Sequence, residues 1–304
     1  MSNLEQNVTD KVASALLGKK VSGSDFYDPS LLVGVPRFEN RARYGIDNSN
    51  LPFDGYDVWH SFEFSVLTEG GLPVTRVLKL KYSCDSEFIV ESKSLKLYLN
   101  SFNMYHLGKT VEESLILAKS LIEKDLSEKL KTNVEVKFLD IGSNREEIFS
   151  GYKNLMSSID ETCVNFSKYK EAPEVLRVVE NDEQTEYRLV FDSLRSNCRV
   201  THQPDFGSAF IYYKSNRHID EKSLVEYLVS FRSEFHFHEE CCEMIFKRLS
   251  DILNPDDGLM VCALYTRRGG INICPARYKN LKNADKNLHN LFDLSKYCEY
   301  GINL

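Results

Sequence analysis

The sequence lacks the features that mark several large classes of protein. It has no surplus of positive charge, because the formal net charge is −7 at pH 7, whereas a general nucleic-acid binder carries a basic stripe. No hydrophobic run approaches the length needed to cross a bilayer, and residues 1–20 lack the apolar core of a signal peptide. The eight cysteines include no Cys-x-x-Cys pair. We therefore expect a reduced, cytoplasmic protein without direct nucleic-acid or membrane contacts.

Glycine-rich nucleotide-binding motifs are also absent. Neither GxGxxG nor GxxxxGK[ST] occurs, so the sequence indicates neither a Rossmann nor a P-loop site. A nucleotide cofactor would need basic side chains, and residues 91–96 place two lysines near a predicted helix start, where N–H groups favour anions. Residues 267–270 pair two arginines with two glycines that let a phosphate approach the backbone. Solvated lysines and a basic hairpin tip would also explain these segments.

The first half of the chain combines a hairpin with helices. Alternating hydrophobicity predicts strands at 57–67 and 74–82, joined by a glycine-containing turn. Thr110 and Glu113 form a capping box for a helix that runs to about residue 130. A short strand follows at 134–138. A further short helix is expected near residues 10–17.

The second half repeats that order of elements. Strands are expected at 187–191 and 209–213, then a helix capped by Asp220, a second helix at about 238–253, and strands at 259–266 and 271–274. We therefore predict an α+β fold built as a tandem repeat. The halves are residues 1–139, with an N-terminal extension, and 186–304. A polar segment, 140–185, connects them.

A thiol and a carboxyl lie close together in residues 196–208. Cys198 precedes Asp205 by seven positions, in surroundings that look too polar for a core strand. The run from Pro204 to Gly207 predicts a turn that folds the acid back towards the thiol. A thiol with a nearby acid can attack an electrophilic carbon and handle the protons. A buried free cysteine and a turn aspartate would explain the same residues.

Residues 235–242 gather His236, His238, Glu239 and two cysteines. Their spacing matches neither HExxH nor a zinc ribbon, so we expect no metal. A carboxylate at Glu239 could accept parallel hydrogen bonds from the edge of a guanine-like ring, and His238 could handle a proton. An acid that merely stabilises the start of a helix is the structural alternative.

Four separate motifs, in this order, resemble the long form of the NADPH-dependent 7-cyano-7-deazaguanine reductases, the nitrile reductases of queuosine biosynthesis. The similarity covers about residues 27–103 and 187–277. One departure is Phe206, where the family pattern leads us to expect Trp. The motifs are residues 90–98, 196–198 with 202–208, 237–239 and 265–270.

The resemblance implies a role for each matching position. Cys198 would add to the nitrile carbon and form a covalent thioimide, Asp205 would protonate the nitrogen, and His238 would lie beside the reacting group as a third catalytic residue. NADPH would reduce the thioimide, and a second NADPH would reduce the imine left after loss of the thiol. The matching positions are Val90, Glu91, Ser92, His238 and Glu239 for substrate, and Ser92, Lys93, Arg268 and Gly269 for cofactor.

The resemblance also implies a tunnelling fold (T-fold) in each half, with antiparallel sheets and paired helices on one face, and no metal. We expect a small 7-deazaguanine nitrile as the ligand and a homodimer as the assembly. For its role Asp205 must be protonated in the substrate complex or receive a proton there, and burial beside Phe206 should favour the neutral form. Two rival functions are a metal-dependent pterin or purine cyclohydrolase, which would need ligands such as His236, His238 and Cys241, and a purine-binding module without catalysis.

Overall fold

A nine-stranded sheet organises the computed structural model of the protein. The structure describes residues 26–140, 145–281 and 286–299, so the short helix expected near residues 10–17 lies outside the described residues. None of the described helices is long and apolar enough to span a bilayer.

The described part of the chain forms thirteen strands and six α-helices. The strands are β1 (Gly34–Pro36), β2 (Asp54–Leu67), β3 (Pro73–Ser83), β4 (Phe88–Val90), β5 (Val134–Leu139), β6 (Arg145–Glu147), β7 (Lys153–Asn154), β8 (Val178–Cys198), β9 (Pro204–Ile219), β10 (Phe235–His236), β11 (Gly258–Tyr265), β12 (Ile271–Lys279) and β13 (Tyr297–Glu299). The α-helices are α1 (Phe38–Arg43), α2 (Ser92–Asn100), α3 (Val111–Leu130), α4 (Glu221–Val229), α5 (His238–Ile252) and α6 (Lys286–Phe292).

The main sheet runs in the order β10-β8-β9-β11-β12-β2-β3-β5, with β7 pairing β8. All neighbours along this path are antiparallel except β10 and β8, and β7 is also parallel to β8. The pairing of β12 with β2 joins strands from the two ends of the sequence. The protein is therefore a mixed α+β structure with a largely antiparallel sheet.

The two faces of the sheet bury different partners because successive strand side chains point to opposite faces. On β11, Leu259, Val261 and Ala263 pack in one cluster with residues of α4 and α5. Met260 and Cys262 alternate with them and pack with residues of α6. Residues of α2 and α3 pack with β2 and β3 in a separate cluster.

The predicted elements are largely confirmed. The expected hairpin is β2 and β3, and the predicted caps form, since Thr110 Oγ1 accepts from Glu113 N at 3.1 Å and Asp220 Oδ1 accepts from Ser223 N at 2.8 Å. In the connecting segment 140–185, the described part contains β6, β7, three short 3-10 turns and the first residues of β8.

The predicted turn from Pro204 to Gly207 is wrong. The turn lies at 199–201, and Pro204 instead begins β9, where a residue without an N–H is tolerated. Gly207 lies within β9. The residue is glycine because a Cβ there would be 2.7 Å from the carbonyl oxygen of Leu264 on β11. The thiol and acid therefore lie at the ends of two paired strands, which the polarity of the segment did not suggest.

Candidate active site

A cavity of about 260 Å³ opens beside the ends of β8 and β9. Residues from both halves of the sequence line it, including the ends of β4 and β10 and the first turns of α2 and α5. The structure brings all ten sequence-predicted site residues into this one cavity, while the role of each stays a prediction. They are Val90, Glu91, Ser92, Lys93, Cys198, Asp205, His238, Glu239, Arg268 and Gly269.

Cys198 is the last residue of β8 and is half-buried. Its backbone N–H donates to Gln203 O at 2.8 Å, and its carbonyl accepts from His202 N at 2.9 Å. His202 has a left-handed φ of 57°, which closes the hairpin next to the thiol. Of the other cysteines in the described part of the chain, Cys163 is exposed and the rest are buried, so Cys198 is the described thiol that is partly accessible within this cavity.

Asp205 is paired with a guanidinium group and an imidazole. Its Oδ1 accepts from Arg268 Nη1, and its Oδ2 lies 3.3 Å from His238 Nε2. Arg268 Nη2 also donates to Gln203 Oε1 at 2.7 Å, so the guanidinium connects Gln203 and Asp205, on either side of the start of β9, to the loop after β11. The imidazole of His238 is fixed from behind by Tyr265, whose ring stacks on it at a centroid distance of 3.7 Å.

The structure does not show the expected effect of burial beside Phe206, because the pKa of Asp205 is lowered. Burial does raise its pKa, but the hydrogen bond and charge of His238, followed by those of Arg268, lower it more, and the net pKa lies below the ordinary value. Phe206 contributes little cover, because it is 46% exposed. Asp205 is therefore a carboxylate at neutral pH.

Glu91 serves as the N-cap of α2. Its Oε1 accepts from Lys93 N at 2.9 Å and its Oε2 from Ser94 N at 2.7 Å. Burial raises its pKa, although these two backbone hydrogen bonds oppose the shift. The carboxylate is therefore fixed in direction before any ligand binds.

Glu239, in the first turn of α5, is almost completely buried. Its Oε1 has no hydrogen-bond partner among the described residues. Burial, and then repulsion from Asp57, raise the pKa of Glu239 to about 8. Asp57 itself forms buried salt bridges. Its Oδ2 pairs with Arg37, and its Oδ1 lies 2.8 Å from Arg277 Nη2. A buried polar atom without a partner is costly, and in a cavity it marks a place for a ligand.

One side of the cavity is basic. Lys93 is half-buried in the first turn of α2; its charge lowers the pKa of Glu91, but its ammonium forms no salt bridge with a described residue. Lys96 Nζ donates to Gly269 O at 2.7 Å. Gly269 and Gly270 have φ values of 56° and 81°, conformations that favour glycine, and their Cα atoms face the ammonium of Lys96 and the carboxyl group of Glu63. An anionic cofactor fits this side, although Arg268 is engaged by Asp205.

Sequence reasoning missed the apolar part of the cavity. Trp59 from β2 and Ile271 and Ile273 from β12 line it, and the indole Nε1 of Trp59 is buried without a partner among the described residues. The alternation along β2 shows that Trp59 is core-facing, but only the pairing of β12 with β2 places it beside the thiol. Phe237 and Thr266 also line the cavity and were not singled out.

The residues considered for a metal do not form a cluster. His236 Nε2 pairs with Glu234 Oε2 at 2.8 Å, His238 stacks on Tyr265, and Cys241 is buried in the core. Within the described ranges, no group of three or more His, Cys, Asp and Glu side chains has an arrangement suited to a metal ion.

The cavity brings a half-buried cysteine together with an acid–imidazole pair, an arrangement typical of enzymes with a cysteine nucleophile. Comparison with known proteins narrows this class. A family model described as "Nitrile reductase, 7-cyano-7-deazaguanine-reductase N-term" matches residues 24–138, and one described as "QueF-like protein" matches residues 204–284.

Curated relatives match most of the chain. The proteins named NADPH-dependent 7-cyano-7-deazaguanine reductase in Rickettsia felis and Rickettsia massiliae are 39% and 40% identical over 88% of this chain, covering 94% and 93% of their own lengths. The protein of that name in Colwellia psychrerythraea is 36% identical over 92% of this chain and 96% of its own. The chain belongs to the 7-cyano-7-deazaguanine reductase family.

Proposed function

We propose that this protein reduces the nitrile of 7-cyano-7-deazaguanine to an aminomethyl group with NADPH, as a cytoplasmic step of queuosine tRNA modification. The observation that carries the proposal is the half-buried thiol of Cys198 in one cavity with the Asp205–His238 pair and the unpaired oxygen of Glu239. A nitrile carbon needs a soft nucleophile, and its nitrogen needs a positioned proton source.

Glu91 and Glu239 would hold the edge of the deazaguanine ring. Ring N–H and amino donors suit carboxylate acceptors, and Glu239 offers an oxygen without a partner among the described residues. Hydrogen bonds to the charged form lower a carboxyl pKa. Substrate binding should therefore drive Glu239 to release its proton. Trp59, Ile271 and Ile273 give the ring an apolar surface.

Addition of the thiol moves one proton from sulfur to nitrogen in two steps. Cys198 Sγ forms a bond to the nitrile carbon while one π bond to nitrogen opens. The thiol proton passes to the Asp205 carboxylate and then to the nitrogen, so the thioimide forms without net gain or loss of protons. This assigns Asp205 first as acceptor and then as donor. His238, fixed by Tyr265 and 3.3 Å from Asp205, holds the carboxylate in place during both transfers.

NADPH, when bound, supplies hydride for the two reductions that follow. Lys93 would hold its anionic groups together with the backbone of 268–270, because both line the cavity and the ammonium of Lys93 forms no salt bridge with a described residue. Ser92, the first residue of α2, lines the same cavity and is assigned to both substrate and cofactor. Arg268 pairs with Asp205 in this structure. We therefore propose Lys93 as the main cationic contact of the cofactor and Arg268 as the second.

We infer that the two halves are tandem T-fold units, 1–139 and 186–304, connected by 140–185. Support comes from the shared order of elements. The hairpin β2–β3 is followed by α2, α3 and β5, and the hairpin β8–β9 is followed by α4, α5 and the β11–β12 pair. We also propose a homodimer, which light scattering of the purified protein would test directly.

The reductase activity can be tested by following NADPH absorbance with 7-cyano-7-deazaguanine. We expect two NADPH oxidised per nitrile consumed, and none with Cys198→Ala. Cys163→Ala is the matched control, because Cys163 is an exposed thiol outside the cavity, and it should retain activity. Absence of NADPH oxidation by the unmodified protein, or turnover by Cys198→Ala, would contradict the proposal.

A further inference from the structure

A buried network of charges lies next to the cavity. Its centre is Glu240, in the first turn of α5, which does not line the cavity. Arg199 Nη1 donates to Glu240 Oε1 at 2.9 Å and to Oε2 at 3.2 Å. Both side chains are buried, with 7% and 6% exposed. Charge-assisted, forked pairs of this kind are geometrically specific.

The carboxylate of Glu240 also binds the segment before α5. Its Oε2 accepts from Phe237 N at 2.9 Å, the reciprocal half of a capping box. The same oxygen lies 3.4 Å from His236 Nδ1, an ion-pair distance. The other nitrogen of His236 lies 2.8 Å from Glu234 Oε2 and 3.2 Å from the hydroxyl of Tyr44. Burial lowers the pKa of His236, but Glu234 and Glu240 raise it by more.

These contacts link two parts of the proposed site. Arg199 directly follows Cys198, and His236 pairs with Cys198 across β10 and β8. Residues 237–239, between His236 and Glu240, carry His238 and Glu239, the proposed proton-handling and recognition groups. Glu240 therefore contacts both the corner that presents the thiol and the segment that presents the substrate-binding groups.

We propose that Glu240 is a positioning residue that, with Arg199 as its partner, fixes Cys198 Sγ at attacking distance from the bound nitrile carbon. The inference rests on the proposed function. Glu240 touches no reacting atom and acts through the Cys198–Arg199 corner. Misplacing a reacting group by about 1 Å can cost about 100-fold in rate, so a link of this kind governs the chemical step rather than ligand affinity.

The two roles of Glu240 can be separated by substitution. In Glu240→Gln the amide oxygen can still accept from Phe237 N, because Gln also completes a capping box, so the recognition segment should keep its position. The charge that pairs with Arg199, and with His236 Nδ1, is lost, so the variant that leaves the Glu240–His236 contact in place is needed beside it. Arg199→Gln removes the same link from the other side and lies in a turn, where substitution leaves the helix intact.

The experiment measures thioimide formation by stopped-flow without NADPH, and substrate affinity on a Cys198→Ala background. Glu240→Gln and Arg199→Gln should each slow adduct formation by about 10- to 100-fold, while the dissociation constant changes by less than about threefold. The double variant should be no slower than either single variant, because both remove one interaction. Glu221→Gln is the matched control, since Glu221 is a first-turn acid of α4 that pairs with Lys153 at 2.8 Å, away from the cavity.

The outcomes separate this inference from the proposed function. If the unmodified protein forms no adduct, the proposed function fails. If it forms the adduct and both single variants match its rate, the positioning role fails. Equal losses in rate and affinity, or additive losses in the double variant, would indicate a purely structural role and would also overturn the inference.

Discussion

Glu239 is buried where a carboxylate is costly, yet one of its oxygens has no partner among the described residues. Burial and the charge of Asp57 raise its pKa to about 8, so most molecules carry the proton at neutral pH. Perturbed carboxyl groups of this kind concentrate at functional sites. Glu239 can therefore lose its proton when hydrogen-bond donors of a ligand bind to its carboxylate.

Substrate binding should therefore release a proton. Because its pKa is raised to about 8, Glu239 is mostly protonated at pH 7, and binding of the ring requires the ionised form. Affinity should rise with pH up to about 8 and then level off. Calorimetry in buffers of different ionisation enthalpy, on a Cys198→Ala background, measures the released proton. Glu239→Gln should abolish the release, and unchanged proton release in that variant would place the titrating group elsewhere.

Arg268 helps to set the pKa of Asp205. Burial raises the pKa of Asp205, while His238 and then Arg268 lower it below its ordinary value. If the ionised form must accept the thiol proton, adduct formation is lost as pH falls through this pKa. Removing one cation should raise the pKa of Asp205, so the acid limb of the pH–rate profile should move upwards in Arg268→Gln by about one unit.

The control for this prediction is Lys96→Gln. Lys96 is a cation on the same side of the cavity but contacts Glu63 and the carbonyl of Gly269 rather than Asp205. Its loss should leave the acid limb in place. An equal upward movement in both variants would mean that the general positive potential, and not the Arg268–Asp205 contact, sets the profile.

At the scale of elements, α2 begins with an unusual cap. Helix N-caps favour Ser, Thr, Asp and Asn, whereas Glu91 takes this position and binds both Lys93 N and Ser94 N. The longer side chain can cap the helix and still line the cavity. A local rule broken without a structural need is typical of a functional position, and this supports a recognition role for Glu91.

The strands β9 and β11 depend on one glycine. A Cβ at Gly207 would lie 2.7 Å from Leu264 O and 3.1 Å from Tyr265 Cα. Gly207→Ala should therefore lower the free energy of unfolding by about 1–3 kcal/mol and disturb the neighbouring Asp205. Urea denaturation checks the loss. The control is Gly70→Ala in the β2–β3 turn, where the nearest atom would be 3.8 Å away, and comparable stability losses in both variants would refute the packing argument.

At the scale of the whole molecule, local patterns predicted local structure well. Side-chain alternation found β2 and β3, and the caps at Thr110 and Asp220 marked true helix starts. The same reasoning misplaced the turn near Pro204, because the requirement for glycine at 207 comes from β11, about 57 residues away in sequence. Contacts between distant segments leave no local signal.

The residues of the site could also be predicted from local motifs, whereas their contacts could not. The resemblance supplied the residues that line the cavity, and the fold brought them together. The charge state of Asp205 could not be predicted, because it depends on His238 and Arg268, which reach it from α5 and from the loop after β11. Trp59 was missed for the same reason, since β2 meets β12 only in the assembled sheet.

Covalent capture by Cys198 is the central claim, and mass spectrometry tests it most directly. The protein is mixed with 7-cyano-7-deazaguanine without NADPH, and its intact mass and peptides are measured. The account predicts a mass gain equal to the whole substrate, because addition to a nitrile loses no atoms, with the adduct on Cys198 and none in Cys198→Ala. An unmodified protein, or an adduct on Cys163 or another cysteine, would contradict it.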